Sequence, residues 1–103
     1  MITFSYNWNN KLDCKMFTTV RLQSDKYQIG HIHDIILKGK SKGEGKIVAV
    51  KVKLLSQIDE FETGLDTGYN QQDFRKLIMT MYKNIVKDWS TQKLLIILIR
   101  KKK

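Results

Sequence analysis

The sequence predicts an α+β fold that is mainly β: a small antiparallel β-barrel of about five strands with one long flanking helix over about 71–88. Three observations carry this. Several stretches alternate apolar and polar residues with a period of two, the pattern of half-buried strands. Phe74, Leu77, Ile78, Met81, Tyr82 and Ile85 fall on a single helical stripe. Leu94–Ile99 is an unbroken aliphatic run, too short for such a helix and suited to a central strand buried on both faces.

Taken in order, Ile2, Phe4, Tyr6 and Trp8 alternate with Thr3, Ser5 and Asn7, so residues 2–8 read as a strand that Asn9 and Asn10 end. Residues 11–15 read as a short turn. Met16–Leu22 is rich in Thr, Val and Phe and reads as the next strand. Gln23–Lys26 turns the chain into a long strand over Tyr27–Leu37, with Gly30 as a bulge or a point of close backbone approach. Lys38–Lys46 holds four lysines and three glycines and reads as a flexible cationic hairpin loop. Ile47–Leu55 returns as a strand with Val48, Val50, Val52 and Leu54 on one face. Residues 57–69 carry four of the ten acids and read as a loop with one short helical turn. Asn70 can cap the helix, and Asp73 sits in its first turn, where negative charge is favoured. Arg100–Lys103 reads as a frayed, solvated basic tail or as one that rests on a phosphate backbone.

Composition narrows the function classes. At 103 residues the chain is a single domain, 1–103, with room for one modest core. A hydrophobic fraction of 42% excludes a disordered chain. A lone cysteine excludes an internal disulfide. The longest apolar run is six residues against the roughly 20 that a spanning helix needs, so a soluble cytoplasmic protein with no membrane partner is expected. Nineteen basic residues against ten acidic leave a formal charge of +9, and the surplus is larger still outside the acidic 57–69 segment. Such a balance points to a polyanion partner, most often nucleic acid, unless it is merely a lysine-rich surface.

The densest mix of reactive and phosphate-seeking groups lies in Cys14–Gly30, with Cys14, Lys15, Thr18, Thr19, Arg21 and Lys26. For binding, Arg21 can make a bidentate contact to a phosphate or a guanine edge, unless an acid such as Asp66 or Asp34 holds it in a structural pair. Lys26, in the following turn, is a further candidate, and Lys38, Lys40, Lys42 and Lys46 can follow a phosphate backbone. Tyr27, Tyr69 or Trp8 can stack on an unpaired base. His31 and His33 share a strand face, but no other His or Cys has ligand spacing, so neither a metal nor any other cofactor is expected. The acidic 59–66 stretch leaves a protein partner open as a further reading.

Phe17-Thr18-Thr19-Val20-Arg21, followed by Tyr27-Gln28-Ile29-Gly30, then Asp66-Thr67-Gly68-Tyr69 leading into a helix that reaches Tyr82, resembles the ASCH domain family of the PUA-like superfold. The likeness covers nearly the whole chain. It implies a PUA-like barrel with a cleft between barrel and helix that binds RNA or a modified nucleotide. Some small ASCH proteins are amidohydrolases acting on acylated cytidine through a lysine, a threonine and an acid. Carried over, the lysine is Lys15, the threonine is Thr19 or Thr18, and the acid is Asp66. Asp66 stands where the family has Glu, and Lys15 lies one position further from Arg21 than in the pattern. The resemblance therefore implies nucleotide or RNA binding first and an amidohydrolase second.

Overall fold

The computed structural model describes residues 1–102 of the chain. Met16–Leu22 forms a strand, β2, over the predicted span. It pairs antiparallel with β5 (Lys93–Lys101), in a register running from Met16 opposite Arg100 to Leu22 opposite Leu94. On its other side β5 pairs antiparallel with β4 (Lys40–Leu54), and β4 with β3 (Ile32–Leu37). A three-residue β1 (Ile2–Phe4) completes the sheet parallel to β3. The order β1-β3-β4-β5-β2 leaves β1 and β2 as the two edges, and the sheet curls into a half-barrel that is open between them.

Both faces of this sheet are packed. Inside the curl, Ile2, Phe4, Phe17, Ile35, Ile47, Leu95, Ile97 and Ile99 meet, joined by Leu12. On the outer face Val20, Leu94 and Ile96 pack against Leu55, Ile58, Phe74 and Ile78. Alternate residues of Leu94–Ile99 serve the two cores, which is why the aliphatic run is unbroken. Gly45 faces the inner core, where a Cβ would meet the Ile99 Cγ2 methyl at 2.5 Å and the Ile35 side chain at 3.3 Å, so only glycine fits.

Several predicted boundaries move. The strand over 2–8 stops at Phe4, because Trp8–Asp13 winds into a 3-10 helix that buries Leu12. The Leu12 amide donates to Asn7 Oδ1 at 2.9 Å, and Asn7 Nδ2 donates to Asp13 at 3.0 Å, so Asn7 ties off the turn. The strand over 27–37 begins at Ile32, after a turn in which Gly30 takes a φ of 94°. The cationic loop over 38–46 shrinks to Lys38-Gly39, with φ values of 51° and 81°. Two residues at positive φ match the twist of the flanking strands, so the rest of the stretch is free to pair as β4. The alternation expected over 47–55 is broken by a bulge between Ile47 and Ala49, which turns Ile47 inward and leaves Val52 half-exposed.

The acidic segment is more ordered than expected: a 3-10 turn over Leu55–Gln57 and then the helix α1 (Glu60–Asp66). Asp59 and Glu62 form a reciprocal capping box. The helix predicted over about 71–88 is α2 (Gln71–Met81), capped by Asn70 Oδ1, which accepts from the Asp73 amide at 2.8 Å. It ends seven residues early. Past Met81 the chain leaves the helical phase, so Ile85 is exposed while Val86 is buried and Trp89 packs on the outer core. Arg100 and Lys101 belong to β5 and the Lys102 amide donates to Glu44 O, so the basic end is paired that far; Lys103 lies outside the described residues. No helix among the described residues is long and apolar enough to cross a membrane.

Candidate functional site: the cleft at the open seam

Where the half-barrel fails to close, a cleft of ≈ 770 Å³ lies between β1, β2 and α2. Thr3 and Phe4 of β1, with Ser5 just past its end, line it from one edge and Thr19, Val20 and Arg21 of β2 from the other. Leu77, Ile78 and Met81 of α2 form an apolar wall, while Trp8 and the Lys38-Gly39 turn stand at the rim.

Arg21 bridges the seam. Its Nη2 donates to the Thr3 carbonyl of β1 at 2.8 Å and its Nε to Thr19 Oγ1 at 3.0 Å. The guanidinium lies 4.7 Å from the centre of the Phe4 ring, a cation–π contact that fixes its plane. It makes no ion pair among the described residues, so the pairing with Asp66 or Asp34 weighed above does not form. Two of its five N–H groups are used by the protein, leaving the fork with donors for a ligand.

At the base of the cleft Lys11 Nζ donates to Asp66 Oδ1 at 2.9 Å, with side chains only 5% and 7% exposed. Burial lowers the pKa of Lys11 and raises that of Asp66, in each case against the attraction of the partner. Thr18 Oγ1 reaches the same Asp66 oxygen at 3.5 Å, while the next residue on the strand, Thr19, is buried and accepts from Arg21 Nε.

Of the residues singled out from sequence, Trp8, Thr19, Arg21, Lys38 and Asp66 line this cleft. Tyr69 reaches its rim through an edge-on contact with Trp8 at 5.5 Å. Lys15 does not; it is exposed beside Asp13, Cys14 and Arg100 at the far end of β2. Lys26 is exposed and lies over the Tyr27 ring, and Tyr27 packs against the inner core beside a separate shallow groove. Lys42 is paired with Asp13 at 2.9 Å. Lys40 and Lys46 are exposed on β4 outside the cleft. His31 and His33 lie 6.3 Å apart, and among the described residues no group of three or more His, Cys, Asp or Glu side chains is placed to hold a metal.

Lys11 is the residue that sequence reasoning passed over. Its partner is 55 positions away, and the 3-10 helix that carries it has no periodic signature. The available hint was chemical: an aspartate in a helix destined for burial requires a cation. Comparison of the chain with protein-family models, with curated proteins and with solved structures finds no match.

Proposed function

We propose that the seam cleft binds a nucleotide, free or within RNA, in the manner the resemblance to PUA-like ASCH domains implies. The observation that carries this reading is the pairing of an apolar α2 wall with two cationic groups, Arg21 and Lys38, around one cleft of nucleotide-accommodating size. A base lies against Leu77 and Met81, and its phosphate faces the Arg21 fork and Lys38. Titration with nucleoside 5′-monophosphates tests it. Arg21→Ala is expected to weaken binding by about ten- to a hundredfold, as loss of a charged hydrogen bond does. Lys46→Ala, outside the cleft, leaves affinity unchanged. Wild-type affinity in the Arg21→Ala chain would exclude the cleft as the binding site.

A second reading, a small amidohydrolase of acylated cytidine, is favoured by the Lys11–Asp66 pair, with Lys11 in the role the resemblance gave to Lys15. Lys11 gives its proton to Asp66 and then, as a neutral amine, takes that of the Thr19 or Thr18 hydroxyl, whose oxygen attacks the amide carbon. The carboxyl of Asp66 protonates the departing amine of cytidine, and water then cleaves the acyl-threonine ester. Single-turnover assays on an N4-acylated cytidine should show hydrolysis by the wild type and by Lys15→Ala, and none by Lys11→Met. An inert wild type removes this reading and leaves the binding one standing.

A further inference from the structure

We propose that Tyr6, Trp8 and Tyr69 form a stacking ledge at the mouth of the cleft, which takes the base next to the one held inside. The ligand is then a single-stranded RNA rather than a free nucleotide. This rests on nucleotide binding in the cleft and extends it outward.

The three aromatics come from two distant parts of the chain. Tyr6 and Trp8 leave β1 for the 3-10 helix, and Tyr69 follows α1. The ring centres of Tyr6 and Trp8 are 4.6 Å apart, and those of Trp8 and Tyr69 5.5 Å. Tyr6 is 53% exposed and Tyr69 39%, so the group is not a core cluster: it offers aromatic surface to solvent. Trp8 also lines the cleft, which makes the ledge continuous with the proposed nucleotide site.

The ledge is held in place before any ligand arrives. The Tyr69 amide donates to Thr67 Oγ1 at 3.2 Å, and its carbonyl accepts from Thr63 Oγ1 at 2.9 Å. Asn7, between Tyr6 and Trp8, is bonded on both sides by the Leu12 amide and Asp13. A rigid aromatic surface loses little conformational freedom on binding.

Charge selects the occupant. Arg21 and Lys38 stand at the adjoining cleft, while the nearby acids Asp66 and Asp13 are paired with Lys11 and Lys42. With a formal +9 on the chain, a cationic guest is repelled and a polyanion drawn in. Every base carries a π-face, so exposed aromatics beside cations suit an unpaired strand.

Tryptophan fluorescence in a Trp89→Phe chain, where Trp8 is the remaining indole, tests this with the four nucleoside 5′-monophosphates and the four homohexaribonucleotides. At least one hexamer should quench Trp8 and bind about tenfold or more tightly than its monophosphate, with a steeper loss on adding salt. Tyr6→Ala and Tyr69→Ala, and equally Tyr6→Leu and Tyr69→Leu, should weaken hexamer binding by between about fivefold and about a hundredfold. They should leave monophosphate affinity intact, which also reports that the chain is folded; Tyr6→Phe and Tyr69→Phe retain hexamer binding. Hexamers that bind no tighter than monophosphates, or leucine variants that bind hexamers like the wild type, overturn the ledge while the cleft reading stands, and the aromatic surface then falls to a protein partner. Absence of binding by both probes overturns the two together.

Discussion

Lys11 and Asp66 show how a single contact can be costly to break and dispensable to keep. Each charge has lost its water and relies on the other. Lys11→Met or Asp66→Leu alone strands a buried charge and should lower unfolding free energy by about 3–5 kcal/mol, whereas the double replacement should be close to neutral. Chemical denaturation of the four chains gives the coupling directly; losses that simply add in the double variant would mean zero coupling and overturn the mutual dependence of the two charges. Lys38 presents a different tension. A lysine at a φ of 51° is strained by about 1 kcal/mol relative to residues that tolerate that region. Lys38→Asn should therefore raise the melting temperature while weakening nucleotide binding. A variant that gains stability and keeps full affinity would show that the lysine has no part in recognition.

At the scale of elements, α1 is held down by its own acid. Burial alone would raise the pKa of Glu62, but hydrogen bonds from Lys53, the Asp59 amide and Lys51 outweigh it and hold the carboxyl at about 2. Lys53 lies 2.7 Å and Lys51 3.2 Å from it, both on β4, so the carboxylate pins helix to sheet. A carboxyl with a depressed folded-state pKa contributes stability above its unfolded value, near 4.5, and loses it as pH falls toward 2. With solvent screening this is on the order of 1–2 kcal/mol. The Glu62→Gln chain should be less stable at pH 7 and should converge on the wild type near pH 2; an undiminished gap there would refute the assignment. The same element marks a limit of legibility. Asp59-Glu60-Phe61-Glu62 is a capping box in plain sight, yet clustered acids and a glycine at 64 read as loop. Met16–Leu22 and Leu94–Ile99 were legible because strand pairing and burial leave a direct pattern. The end of α2 was not, because Ile85 continues the apolar spacing while the backbone turns to bury Val86 instead. The lysine- and glycine-rich stretch misled for a related reason: Gly45 is required by a crowded core, not by a flexible loop.

Across the whole molecule, the site lies where the architecture is unfinished. A closed barrel would have no edges; here the five strands stop short, and the gap between β1 and β2 becomes the cleft. Arg21, Thr19, Asp66 and Lys38 were nameable from sequence as chemistry-bearing residues, since their types declare it. That Lys11 joins them while Lys15, Lys40, Lys42 and Lys46 do not is set by how the chain curls, which no local spacing records. The strongly basic balance survives as a global property, but most of its charge lies away from the cleft.

The bridge across that gap has a thermodynamic consequence. β1 is only three residues long, and besides its ladder to β3 it is fastened by Arg21 Nη2 on the Thr3 carbonyl and by the Lys38 amide on the Phe4 carbonyl at 3.0 Å. These fastenings come from the two residues that face the proposed phosphate. Occupancy of the cleft and attachment of the first strand are therefore linked equilibria, and whatever steadies one must steady the other by the same free energy. Hydrogen exchange reads this out: saturating nucleotide should slow exchange of the Lys38 amide, and Arg21→Ala should speed it without ligand. Equal exchange in all three samples would mean that the seam and the ligand ignore each other.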